Sequence, residues 1–201
     1  MKSFKGQKPT EVGILNPSLN VFYASGPALT LIVKQPREGD SGKLRTAWRH
    51  ISEDSMRNYR RKHAIPDLYD PKYRCSRPLY SGTVPGWMPT IMVAGGKIVG
   101  VGDLMFVRGS QVDRHYQIPP DDAVASGNLC VLDKYQGIGV GSWYGEVSSY
   151  AAAHFGANWI VGYASTSGGF IDSRLNQGFE EMGTIGGYAF IRKPLVKQST
   201  I

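Results

Sequence analysis

Long apolar stretches are what this 201-residue chain most plainly lacks; runs such as Ala151 to Ala153 or Ile98 to Val99 stop after a few residues. A helix that crosses a membrane needs about 20 apolar residues in succession, so no membrane span is expected. The opening residues, MKSFKGQKPTEVG, are polar and lack the apolar core of a secretory signal, and the expectation is a cytoplasmic protein. Cysteine is scarce too. Cys75 and Cys130 are the only two, and they cannot build a disulfide scaffold. There is no CxxC pair, no close His/Cys cluster and no metal-like spacing among His50, His63 and His115, so no metal site is expected. Internal repeats and low-complexity tracts are absent as well.

What is present describes a folded domain. Apolar residues at 41% and aromatics at 11%, with 19% charged, are not the composition of a disordered chain. The length suits one α/β or α+β domain with a real core. Charge is uneven. The formal net charge is +7, and residues 34–77 hold twelve Lys/Arg against six Asp/Glu, so most of the excess lies in one stretch. A local basic excess points to an anionic partner, whether nucleic acid, a phosphorylated cofactor or an acidic protein surface; a solvated helix face reads equally well.

Along the chain, residues 1–18 read as a mobile basic lead-in to a single domain at 19–195. Segments 19–25 and 28–34 read as strands split by the turn Gly26-Pro27. Residues 43–63 carry Leu44, Ala47, Trp48, Ile51 and Tyr59 at helical spacing, interrupted by Ser52-Glu53-Asp54, which can cap a second helix. Two helices, about 43–51 and 53–63, are expected, the second bearing Arg57, Arg60, Arg61 and Lys62. Residues 64–89 form a long loop rich in proline and aromatics, and loops of that length are usually functional or cover something. A hairpin at 90–94 and 97–107 turns at Gly95-Gly96, and 108–126 reads as irregular. Then follow a strand at 128–133, a helix at 139–155, a strand at 158–164, a short helix at 169–177 and strands at 179–185 and 187–192.

The most informative segment is Gln136-Gly137-Ile138-Gly139-Val140-Gly141, set between a strand and a helix. Three glycines in six residues let backbone approach a ligand closely. The N–H groups from Ile138 to Ser142 would point out of the first helical turn, a nest for a pyrophosphate aided by the helix dipole. A dinucleotide-binding fingerprint would need GxGxxG directly after the strand and an acid about 20 residues on. The spacing here is GxGxG behind Gln136, and no Gly-Lys-Ser/Thr follows, which excludes a P-loop.

These residues resemble the Gln/Arg-x-x-Gly-x-Gly/Ala signature of the GCN5-related N-acetyltransferases, the GNAT superfamily. The resemblance extends over about residues 89–193. VLDKY (131–135) looks like the end of the family's fourth strand, and Asn176-Gln177-Gly178-Phe179-Glu180 looks like its Gly-Phe-Glu after the fourth helix. The fold implied is an α/β (α+β) GNAT-type fold, a mixed central sheet of about six to seven strands flanked by about four helices.

The activity implied is acetyl-CoA-dependent N-acetyl transfer, with an amine attacking the thioester directly in a ternary complex. The resemblance places the pantetheine arm along Leu129, Cys130 and Val131, and the pyrophosphate on Gln136, Gly137, Ile138, Gly139, Val140, Gly141 and Ser142. No membrane and no metal are implied.

The sequence also departs from the family. Where the family often has a tyrosine acting as the acid for the leaving thiolate, this chain has Arg174; where it often has a CoA-contacting asparagine, it has Ser167. Arg174 could contact CoA or a charged substrate, or be a plain surface arginine. Ser173, Tyr188, Ser165 and Tyr163 are replacement candidates for the acid. Asp133, Asp121, Asp122 and Asp103 are candidates for the base, Asp133 also reading as a strand-end cap. Cys130, on a buried strand without a His beside it, reads as core.

Arg57, Arg60, Arg61, Tyr80 and Trp87 are the candidate acceptor-binding residues. The basic run and the aromatic loop tilt the acceptor toward a polyanionic or nucleic-acid-linked amine. A second class stands beside the enzyme: a GNAT-fold protein that has lost catalysis and serves as a structural or interaction module. A plain nucleic-acid-binding domain is a third, supported by charge alone.

Overall fold

Strand β5, Lys97–Arg108, buries every residue from Ile98 to Leu104. A run that is buried on both faces needs cover on both, and the rest of the chain supplies it. The computed structural model describes residues 3–52, 55, 87–166 and 170–196. The expected second helix at 53–63 apart from Ser55, nearly all of the 64–89 loop, and Arg57, Arg60, Arg61, Tyr80 and Ser167 lie outside the described residues.

The remaining elements are β1 (Glu11–Asn16), β2 (Val21–Gly26), β3 (Leu29–Lys34), α1 (Ser41–Trp48), β4 (Trp87–Ala94), β6 (Ala123–Val131), α2 (Val140–His154), β7 (Trp159–Ser165), α3 (Phe170–Leu175), β8 (Glu180–Ile185) and β9 (Tyr188–Pro194). All nine strands join one sheet in the order β1-β2-β3-β4-β5-β6-β7-β9-β8. Every pairing is antiparallel except β6 with β7. The β6–α2–β7 unit is thus the crossover that parallel neighbours require.

Helix α2 is buried nearly all round: Val140, Trp143, Tyr144, Val147 and Ala151 face the core, and Gly145, Ser148, Ser149 and Ala152 are also covered. The sheet wraps it, with Phe22 of β2 meeting the rings of Tyr150 and Phe155 edge-on at 6.5 and 5.8 Å. On the opposite sheet face a smaller cluster of Tyr116, Val124, Val161 and Phe190 is packed. Strand periodicity explains the division: Ala125, Ile160 and Ile191, one step along from Val124, Val161 and Phe190, belong to the main core.

The structure differs from the sequence reading in three places. Among the described residues the sheet has nine strands rather than six or seven. Residues 11–16, placed in the lead-in, are β1, an edge strand whose only fully polar-free stretch is Val12 to Leu15. Phe4, further upstream, is 1% exposed, with its ring 4.8 Å from that of Trp143. Strand β6 starts at Ala123, five residues before the expected point, because its first half, AVASG, has Val124 alone among small residues of weak strand character. No helix among the described residues is long and apolar enough to cross a membrane.

Candidate functional site

On one side β6 is held by β5 along its length, from the Gly100–Val131 pair to the Arg108–Ala123 pair. On the other it meets β7 at only Val124–Trp159, Ala125–Ile160 and Ser126–Val161. Beyond Ser126 the two strands part, and β7 continues from Gly162 to Ser165 paired with β9. Alternate residues of an antiparallel ladder turn their peptide groups to opposite neighbours. Leu132 N–H donates to Val99 O of β5 at 3.0 Å. Cys130 is in phase with it, so the Cys130 backbone serves the ladder while the peptide groups of Leu129 and Val131 face the gap. Burial pushes the Cys130 thiol up to about 12, with the charge of Asp133 adding to the shift, so the sulfur stays protonated at neutral pH.

The glycine segment follows directly. Gly137 and Gly139 have φ of 71° and 92°, in the left-handed region where glycine meets no steric penalty. The N–H groups from Gly137 to Gly141 donate to no protein acceptor among the described residues, and only at Ser142 and Trp143 do bonds to Gly139 O begin, at 3.1 and 3.2 Å. Five successive open donors at the start of a fifteen-residue helix form an anion cradle, reinforced by the helix dipole.

Gln136 shapes this turn. Its Nε2 donates to Val131 O, Asp133 Oδ1 and Ser55 Oγ, each at 3.1 Å. Asp133 in turn accepts from Ser52 N–H at 2.7 Å and Ser55 Oγ at 2.8 Å. The Ser55 bond, followed by Ser52, holds the Asp133 carboxyl below its ordinary range, against an opposing desolvation effect. These bonds engage both oxygens and favour the ionised form, which makes the group a weak base.

Cradle and strand gap border one cavity of about 960 Å³, near the upper end of the roughly 300–1,000 Å³ common for ligand sites. Of the residues expected to contact a cofactor, all but Ile138 and Arg174 line it. Ile138 packs against the core, and its carbonyl faces Ser3 Oγ at 3.4 Å. Ser173 also lines the cavity, its Oγ 2.9 Å from Ser142 Oγ. Asp133 and Tyr188 do not; Tyr188 opens β9 opposite Ser165. Trp87 opens β4 opposite Met105.

One contribution escaped the sequence reading, and one candidate is placed in a way it did not foresee. One wall of the cavity is the segment Phe4 to Pro9. It is fixed by Trp143, whose Nε1–H donates to Gln7 O at 2.8 Å, and by backbone pressed onto Gly139, where a Cβ would lie 2.6 Å from Phe4 C. The other is Arg174, which is buried rather than on the surface and lines a second, smaller cavity beneath the strand gap. Among the described residues, no group of three or more His, Cys, Asp or Glu could hold a metal.

No protein-family model and no curated protein matches the sequence. Solved structures do match in fold. The GNAT domain of S. lividans PAT superposes with a TM-score of 0.59 at 18% identity, covering 83% of this chain and 91% of that one. The structure of AAC(6')-Ib in complex with ribostamycin and coenzyme A gives 0.56 at 15%, over 82% and 93%. The PaiA N-acetyltransferase from Thermoplasma acidophilum in complex with coenzyme A gives 0.52 at 12%, over 82% and 98%. The chain therefore has the GNAT fold, with the central sheet extended to nine strands.

Proposed function

We propose that this protein is an acyl-CoA-dependent N-acyltransferase, with acetyl-CoA as its reference donor. The observation that carries the reading is the juxtaposition of five open backbone N–H groups, Gly137 to Gly141, with the parted strands β6 and β7 in one large cavity. The cradle suits a pyrophosphate. The peptide groups of Leu129 and Val131 that face the gap suit the amides of a pantetheine arm, which would lie there as an added strand, beside the Val131 carbonyl that Gln136 already engages. Neighbours of the same fold, solved in complex with coenzyme A, support the assignment by analogy.

In the reaction, the neutral nitrogen of the acceptor forms a bond to the thioester carbonyl carbon and the carbon–sulfur bond breaks. The sulfur leaves with the electron pair and takes up the proton that nitrogen loses, giving an amide and the free thiol. Ser142 and Ser173 are assigned to the phosphate end of the site, and Gln136 and Asp133 to holding the turn in shape. The acceptor is an amine on a polyanionic or nucleic-acid-linked molecule, recognised by the basic stretch that includes Arg57, Arg60 and Arg61, with Tyr80 and Trp87 as aromatic contacts.

Calorimetric titration with CoA and acetyl-CoA tests the reading, with Gly141→Glu as the blocked control. Gly141 has an ordinary φ, and a Cβ there would have its nearest neighbour, Leu129, at 3.9 Å. Glutamate therefore fits the fold while placing a carboxylate in the cradle. Binding at about 1 μM to 1 mM that is lost in the variant is the expected result. A folded wild-type protein that binds neither ligand would overturn the reading and leave the non-catalytic GNAT-fold module in its place.

A further inference from the structure

Arg174 is a cation in an unusual place. Only 8% of it is exposed, yet no carboxylate among the described residues forms an ion pair with it. A guanidinium has five N–H donors, and among the described residues its side chain makes one protein bond, from Nη1 to Gln177 Oε1, 2.9 Å. The rings of Phe170 and Phe179 flank Cζ at 5.0 and 5.8 Å. Gly145 of α2 makes room for the group: a Cβ there would run into Arg174 Nη1 and Gln177 Oε1. Desolvation lowers the guanidinium to about 10, partly offset by Tyr144 and Glu146, so it still carries its charge at neutral pH. Taking such a group out of water is unfavourable unless an anion or a full set of acceptors replaces the water.

The remaining donors have somewhere to point. Arg174 lines a cavity of about 50 Å³ together with Asn128, Leu129, Tyr144, Ser148 and Phe170. Leu129 and Phe170 also line the large cavity, so the small one adjoins it at the place where β6 and β7 part. At roughly 10–15 Å³ per water-sized group, it accommodates about three to five non-hydrogen atoms. A methylene and a carboxylate make up four.

We infer that the small cavity is an acyl pocket for a short donor ending in a carboxylate, of the malonyl or succinyl class, whose charge Arg174 pairs. The inference rests on the acyl-CoA reading above and narrows it at the acyl end. The product amide would keep the carboxylate, so an acceptor ammonium would exchange a positive charge for a negative one.

The test compares malonyl-CoA with isovaleryl-CoA, which has the same branched shape without the charge, and uses free CoA as reference. Dissociation constants are measured for the wild type, Arg174→Gln and Gly145→Ala. Hydrogen bonds to charged groups favour the charged ligand by about tenfold or more, so malonyl-CoA is expected to bind the wild type at least about tenfold more tightly than isovaleryl-CoA. That ratio should fall toward one in Arg174→Gln while affinity for free CoA is kept. Gly145→Ala should lower it by displacing the guanidinium. The wild-type ratio decides even if a variant does not fold. A ratio near one with CoA bound normally overturns the acyl pocket alone, as does a preference that survives Arg174→Gln. Failure of free CoA to bind overturns the acyl-CoA reading itself, and the pocket with it.

Discussion

Gly139 carries two constraints at once. Its φ of 92° would strain any other residue, by roughly 1–2 kcal/mol. A Cβ would also lie 2.6 to 2.8 Å from the backbone of Phe4 and Lys5. Gly139→Ala is therefore expected to lower the melting temperature by several degrees and to lift the Phe4 segment off Trp143, read as a red shift of tryptophan emission. An unchanged melt would refute the close contact. Asp133 offers a second test. Its carboxyl is held below the ordinary range chiefly by Ser55. A lowered folded pKa stabilises the protein at pH values above the unfolded carboxylate value, about 4, and the contribution vanishes as pH falls through the folded value. Asp133→Asn should thus melt lower than wild type at pH 7, with the difference closing in acid; a gap that persists at low pH counts against the Ser52–Ser55 anchor. The glycines were legible in the sequence because glycine in this pattern between strand and helix has few other uses. The role of Asp133 was not, since Ser52 and Ser55 are 81 and 78 residues away along the chain.

Elements whose apolar residues recur with a clear period were also legible. The stripe Val140, Trp143, Tyr144, Val147 and Ala151 marked α2 almost to its ends, and Gly95-Gly96 marked the β4–β5 hairpin. The wall formed by Phe4 to Pro9 has no such signal: it has one aromatic residue among lysines, glycine and proline, and its hold comes from groups on a helix that begins more than 130 residues later. Its contribution can be measured. Phe4 is as buried as any core phenylalanine, so Phe4→Ala is expected to cost about 3 kcal/mol, toward the lower end for a Phe→Ala change because a segment outside the sheet and helices can readjust. Chemical denaturation measures this. The same variant should weaken CoA binding in calorimetry, because the segment walls the large cavity. Full stability in the variant would mean that the segment only rests on the domain.

At the scale of the whole molecule, the parallel β6–β7 contact is where the proposed acyl donor would lie, because these two strands part beyond Ser126. The family resemblance pointed to β6 even though the strand count fell short, since β1 is an edge strand whose half-exposed side chains carry little pattern. Charge distribution then bears on the acceptor. Residues 34–77 hold twelve Lys/Arg and six Asp/Glu, and Arg57, Arg60, Arg61 and Lys62 fall within six positions. If those four neutralise phosphates of a single strand, the slope of log affinity against log salt is about −2.8. Raising salt from about 50 to 200 mM would then weaken acceptor binding roughly fiftyfold. Binding of CoA, held largely by backbone donors and strand edges inside a cavity, should respond much less. Charge-neutral substitution of the four residues should flatten the acceptor slope toward zero and leave CoA affinity in place. Acylation of an uncharged small amine that proceeds equally fast at both salt concentrations, with no competition from a polyanion, would remove the nucleic-acid-linked acceptor and assign the basic stretch to a solvated surface.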